Sequence, residues 1–135
     1  MAGPVERDAG VRLLLDSHVL LWLATDDPKL GSAIRTVIAD GSNTVLASVA
    51  SLWELTIKAG LGKLVLPTGF HRLLVENGLT ILSIDVRHID RLDHLPRHHG
   101  DPFDRMLIAQ AQADGLTLVS ADRTIRLYDV PVLWS

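Results

Sequence analysis

The sequence contains no cysteine. That excludes disulfides, thiolate metal sites and cysteine nucleophiles. It leaves the compartment open, with a reducing cytoplasm as the default expectation. Positive charge is not in excess either. Thirteen Lys and Arg stand against 16 Asp and Glu, a net charge of −3. Proteins that coat nucleic acid by bulk charge are strongly basic, so any nucleic-acid role here must rest on a local site. Long apolar runs are missing. The longest, such as Val19 to Ala24, fall far short of the ~20 residues that span a bilayer, so no membrane association is expected. The polar N-terminus lacks the apolar stretch of a signal peptide. No internal repeat or linker divides the chain.

What is present describes one globular domain. The 135 residues are 47% apolar and 21% charged, enough for a core that needs no disulfide or metal staple. Gly3, Pro4 and Gly10 mark residues 1–10 as a loose leader, and residues 11–135 read as a single unit. Short apolar runs alternate with helical patterns, the signature of a parallel sheet with crossover helices. Strands are expected at Val11–Leu15, Thr44–Ala47, Leu79–Ser83 and Leu116–Val119. A short fifth is expected at Val130–Leu133, held at an edge by Pro131. The main helices are expected near residues 18–23, 32–39, 51–61, 70–76, 86–92 and 102–114. The fold class is therefore α/β, a three-layer α/β/α sandwich around a mostly parallel sheet of four to five strands.

In such sheets, ligands collect beyond the carboxyl ends of the strands. Asp16 directly follows the first strand, and Glu54 lies about one helical turn beyond the second. Asp101 and Asp104 open the helix leading into the fourth strand, and Asp122 follows that strand after Ser120-Ala121. Right-handed crossovers bring these junctions to one edge. Two carboxylates ~4 Å apart repel by roughly 4 kcal/mol at an effective dielectric of 20. They must share protons or gather around a cation. Oxygen donors without sulfur suit a hard ion, Mg²⁺ or Mn²⁺, which in turn suits phosphate chemistry.

Each acid also has a purely structural explanation. Asp16 can be a helix N-cap. Ser51-Leu-Trp-Glu54 fits a capping box. Asp101-Pro102-Phe103-Asp104 is a good helix start, and Asp122 can be a turn residue. Ser17 and Ser120 can hold a metal-bound water or simply close turns. His94, His98 and His99 with Asp101 can be read as a zinc cluster, but a Pro/Gly-rich, solvated loop is the preferred reading. Trp22 and Trp53 fall on apolar helical faces and read as core. Lys58, Lys63, Arg97, Arg105, Arg123 and Arg126 read mainly as solvated charges, some within reach of a phosphate backbone. Phosphate-binding alternatives fail. Gly62-Lys63 lacks the glycine of a P-loop at Ile57 and no Gly-x-Gly-x-x-Gly follows a strand. A dehalogenase-type phosphatase would need a second aspartate where His18 stands.

At these residues the sequence resembles the PIN domain family, and within it the VapC-like toxins of bacterial toxin–antitoxin pairs. The matching segments are Leu13-Leu-Leu-Asp-Ser-His-Val-Leu-Leu-Trp22, Ser48-Val-Ala-Ser-Leu-Trp-Glu-Leu-Thr-Ile-Lys58, His99-Gly-Asp-Pro-Phe-Asp-Arg-Met-Leu-Ile-Ala-Gln-Ala111 and Leu118-Val-Ser-Ala-Asp122. The resemblance implies a cytoplasmic, Mg²⁺- or Mn²⁺-dependent endoribonuclease that leaves a 5′-phosphate and a 3′-hydroxyl. It assigns Asp16, Glu54, Asp104 and Asp122 as the catalytic, metal-holding acids, with Ser17, Ser120 and Asp101 as auxiliaries. It implies an RNA substrate, a VapB-like antitoxin that blocks the acidic groove, and a homodimer. Ser120-Ala121 departs from the family's usual threonine and polar residue before the last acid. Two rivals use the same residues: a catalytically weak PIN-fold protein-binding module, and a metal-dependent phosphatase or DNA nuclease.

Overall fold

The computed structural model describes residues 10–134. Five strands, β1 (Arg12–Leu15), β2 (Thr44–Ser48), β3 (Thr80–Leu82), β4 (Thr117–Val119) and β5 (Val132–Leu133), form one sheet in the order β3-β2-β1-β4-β5. Every pairing is parallel, with Leu15 opposite both Ala47 and Val119. The sheet is thus wholly parallel and five-stranded, as the alternating pattern implied. Six helices cross between or flank the strands: α1 (Ser17–Ala24), α2 (Ser32–Ala39), α3 (Val49–Gly60), α4 (Phe70–Glu76), α5 (Val86–Asp93) and α6 (Pro102–Asp114). A 3₁₀ helix follows β4 at Arg123–Leu127. The expected leader lies outside the described residues, Gly10 excepted.

β1 is the centre of the sheet for a simple reason. Leu13, Leu14 and Leu15 are all fully buried, because both faces of a parallel sheet are covered by helices. Burying one such side chain is worth about 1.5–3 kcal/mol. Successive side chains point to opposite faces. Leu13 and Leu15 accordingly join one core with Val19, Leu20, Leu55 and Leu74, while Leu14 joins the other with Leu107, Ile108 and Ile125.

α6 lies deepest among the helices, with Arg105 through Ala111 buried without a break. Asp101 caps its start by accepting from the backbone N–H groups of Phe103 and Asp104, and Pro102 fills the first turn. Gly115 ends it at φ 67°, a left-handed conformation suited to glycine. Gln110, fully buried, accepts from the Ser48 hydroxyl at 2.6 Å and donates to the Ser83 carbonyl. That side chain fastens α6 to the end of β2 and to the segment after β3, which fixes the start of α3 relative to α6.

Several local expectations are corrected. α3 begins at Val49 rather than Ser51, and Ser48 is its cap, accepting from the Ala50 N–H. The Ser51–Glu54 capping box therefore does not form, because Ser51 already lies inside the helix. Trp53 is not core: it is 60% exposed, in an edge-to-face pair with Phe103 at 5.2 Å between centroids. Trp22 is half-buried against the first core. Arg105 is buried rather than solvated, donating to the Pro96 carbonyl and to the Tyr128 hydroxyl.

Candidate metal centre

The carboxyl ends of β1, β2 and β4 meet at one rim. Asp16 is the residue after β1, and its N–H donates to the Val119 carbonyl at the end of β4. Its side chain caps α1 by accepting from the Val19 N–H at 2.8 Å. The Ser120 hydroxyl is also bonded to it. Burial raises the Asp16 pKa above the carboxylate norm. The Ser120 and Val19 hydrogen bonds and nearby His18 oppose the rise, and the charge of Asp122 adds to it.

Glu54 projects from the second turn of α3 and is 5% exposed. One carboxylate oxygen accepts from the Ser17 hydroxyl and the other from the Lys58 ammonium at 2.8 Å, an i,i+4 pair on α3. The Lys58 pKa is raised, first by its bond to Glu54, with help from the charges of Asp101 and Asp104. This lysine is therefore part of the rim and not merely a solvated charge.

Asp104 sits in the first turn of α6. Its pKa is pushed up to about 7, by burial first and then by the charge of Asp101; Glu54 and Asp16 raise it further, and His99 opposes. Asp122 caps the 3₁₀ helix through the Thr124 N–H. Its own N–H donates to the Ser120 hydroxyl. Burial acts to raise the Asp122 pKa too, but the bonds from His99 and Thr124 outweigh it and hold the group below the usual carboxylate range.

Asp16, Glu54, Asp101, Asp104 and Asp122 are near enough for charge to act among them: Asp101, Glu54 and Asp16 act on Asp104, and Asp122 acts on Asp16. Among the described residues, only Asp104 and Asp122, with His99, bring ligand atoms within 4.8 Å of one another. Ser17 bonds Glu54 and Ser120 bonds Asp122. Asp16, Asp101 and Asp122 are also helix caps, so the structural and the functional readings hold at once. One neighbour escaped the sequence reading. His99 was assigned to a solvated loop, yet its Nε2 lies 2.7 Å from Asp122 Oδ2 and 3.1 Å from Asp104 Oδ2. A zinc cluster does not assemble around it, since His94 is exposed and bonded to the Asp90 carbonyl and His98 is exposed and set edge-to-face against Tyr128. The signal for His99 was its place two residues before the Asp101 cap.

The donor set fits a hard divalent cation. Lys58 answers Glu54, His99 lies against Asp122 and Asp104, the mutual repulsion of the acids is visible in Asp104, and the ligand atoms of the acids are all oxygen. Ligand atoms of His99, Asp104 and Asp122 lie within 4.8 Å of one another. A family model, the PIN domain, matches residues 13–131.

The chain belongs to the PIN domain family.

Solved structures agree on the fold at low sequence identity. VapBC2 from Rickettsia felis, bound to a promoter DNA fragment, superposes with a TM-score of 0.70 at 16% identity, covering 92% of this chain and 98% of that chain. DNA-bound VapBC from Salmonella typhimurium gives 0.68 at 16%, again covering 92% and 98%. FitAcB from Neisseria gonorrhoeae gives 0.61 at 18%, covering 90% and 96%. A search of curated proteins finds no match. The acidic rim is thus a feature of a PIN domain that spans nearly the whole chain. Among the described residues, no helix is long and apolar enough to cross a membrane.

Proposed function

We propose that this PIN domain is a Mg²⁺- or Mn²⁺-dependent endoribonuclease, the toxin of a cytoplasmic toxin–antitoxin pair. The single observation that carries the reading is the convergence of Asp16, Glu54, Asp104 and Asp122, with the Asp104 pKa pushed up to about 7 by burial and its acidic neighbours. These four acids would hold the ion, directly or through water. When bound, a divalent ion polarises a phosphoryl oxygen and lowers the pKa of a coordinated water.

The chain's own residues do the positioning. Ser17 and Lys58 fix both oxygens of Glu54. Ser120 and the Val19 N–H fix Asp16. Lys58, beside the acids, is placed to meet a phosphate of the RNA backbone. The net charge of −3 is compatible with RNA binding because the cation supplies local positive charge. No side chain need act as a nucleophile.

The partner reading rests on likeness to proteins solved as VapBC and FitAB complexes. A VapB-like antitoxin would cover the acidic rim, and the toxin would dimerise. Val49, Trp53 and Ile57 form an exposed apolar stripe at helical spacing on α3, which supports a protein partner on that face. The test is cleavage of a panel of structured RNA, DNA and a phosphomonoester, with and without Mg²⁺ or Mn²⁺. Ion-dependent RNA cleavage abolished by Asp16→Asn is expected. Faster turnover of the monoester or DNA would reject the ribonuclease assignment, and equal activity of the variant would favour a non-catalytic binding module.

A further inference from the structure

Distance alone admits His99 as a nitrogen ligand of the proposed ion. The other ring nitrogen speaks against it. His99 Nδ1 accepts the backbone N–H of Asp101 at 3.0 Å. A nitrogen that accepts a hydrogen bond has its lone pair in the ring plane free of a proton, so the ring hydrogen resides on Nε2. Nε2 then donates to Asp122 Oδ2 at 2.7 Å, with Asp104 Oδ2 3.1 Å away. A metal ligand at that position would need a bare Nε2 and a protonated Nδ1, whose hydrogen would collide with the amide hydrogen of Asp101.

The ring has little freedom to escape this arrangement. The His99 N–H donates to the Tyr128 hydroxyl at 2.7 Å, and Tyr128 is 4% exposed. The same hydroxyl accepts from Arg105, whose guanidinium also holds the Pro96 carbonyl. The loop is thereby fastened on both sides of the histidine, and Asp101 is itself fixed as the cap of α6.

Given the metal-dependent reading above, on which this inference rests, we infer that His99 is a positioning residue: its Nε2–H brackets Asp104 and Asp122 from outside the ion, and the Asp101 backbone N–H sets the ring tautomer that prevents His99 from becoming a ligand. The contact spans two elements, the start of α6 and the cap of the 3₁₀ helix after β4, with Nε2 bonded to Asp122 and 3.1 Å from Asp104. Excluding the imidazole leaves an oxygen-only site, which denies borderline ions such as Zn²⁺ the nitrogen donor they favour.

Two measurements test this. Long-range ¹H–¹⁵N spectra of the parent chain, without and with saturating Mg²⁺, should show a bare Nδ1 and a protonated Nε2 for His99 in both states. Calorimetric titration with Mg²⁺ should show His99→Gln, whose amide can donate from nearly the same place, close to the parent. His99→Leu, checked by thermal melting to be folded, should bind about 10- to 100-fold more weakly, the loss typical of groups that orient metal ligands. Loss of the Nε2 proton on adding Mg²⁺, or a His99→Gln defect as large as that of His99→Leu, would make His99 a ligand and overturn the inference while sparing the metal site. If the parent takes up neither Mg²⁺ nor Mn²⁺, the nuclease reading fails instead. The ion-free spectrum alone then decides the bracket: a protonated Nε2 supports it and a bare one sinks it.

Discussion

Two histidines in this molecule make the same pair of hydrogen bonds in opposite settings. His88, fully buried on α5, accepts the Asp85 N–H at Nδ1 and meets Asp114 at Nε2, at 3.0 Å and 2.9 Å. His99 accepts the Asp101 N–H and meets Asp122 in the same way. At His88 the circle is closed by Arg87, which bonds both Asp85 and Asp114. The pKa of Asp114 stays below the usual range, because the bonds from His88 and Arg87 overcome the effect of burial. At His99, among the described residues, no arginine bonds the acids, and Asp104 is driven up to about 7. One motif is therefore complete in itself and ties α5 to α6. The other carries surplus negative charge, which a proton on Asp104 or a bound cation can offset. The contrast separates a structural ion pair from a site, on charge balance rather than on geometry.

Breaking the unbalanced cluster should have the largest effect. Asp16→Asn or Asp104→Asn should reduce metal-dependent RNA cleavage by more than about 100-fold, beyond the ~10- to 100-fold usual for groups that only orient ligands. A rate assay at saturating Mg²⁺ checks this. The His88 cluster offers the control: His88→Leu should leave Mg²⁺ uptake unchanged.

The next effect is on stability, and its sign differs between the two clusters. Asp16 and Asp104 have raised pKa values in the folded chain. Between the unfolded value of 3.8 and about 7, the folded state binds the extra proton at Asp104, so stability falls as pH rises through that window. The loss from Asp104 is on the order of 4 kcal/mol at most. Urea unfolding of the ion-free protein between pH 4 and 8 should show the decline, and added Mg²⁺ should reverse it at the alkaline end. Asp85, Asp114 and Asp122 have lowered values. Their contribution is complete above 3.8 and is lost only below it, so it does not offset the decline.

Smaller effects sharpen the contrast. His88→Leu should cost about 1–3 kcal/mol, the penalty for stranding buried polar partners; urea unfolding at neutral pH measures it. Arg87→Ala should produce the smallest change, a slight drop in melting temperature that disappears at high salt, because the side chain is 62% exposed.

Much of the rim was legible because each acid sits where a strand ends or a helix begins. Asp16 and Asp101 announce themselves as caps and Asp122 as a turn residue, and a parallel topology sends the ends of β1 and β4 to the same edge. The start of α3 was not legible. Ser48 and Ser51 are both acceptable caps locally, and the choice is made with Gln110, a partner 62 residues away in sequence. Trp53 was misplaced for a related reason. α3 carries apolar residues on more than one face, and periodicity cannot tell Leu55, which is buried, from Trp53, which is exposed. Arg105 and His99 depend on the path of one loop, whose anchor Tyr128 comes 29 residues after His99. Such contacts leave no local pattern.

We propose that the crowded acids of the rim hold a divalent ion. Calorimetric titration of Mg²⁺ and Mn²⁺ into the parent chain and into Asp104→Asn, at a pH above 7, tests it most directly. Saturable uptake by the parent that is lost in the variant is expected. No uptake by the parent, or equal uptake by both, would contradict it.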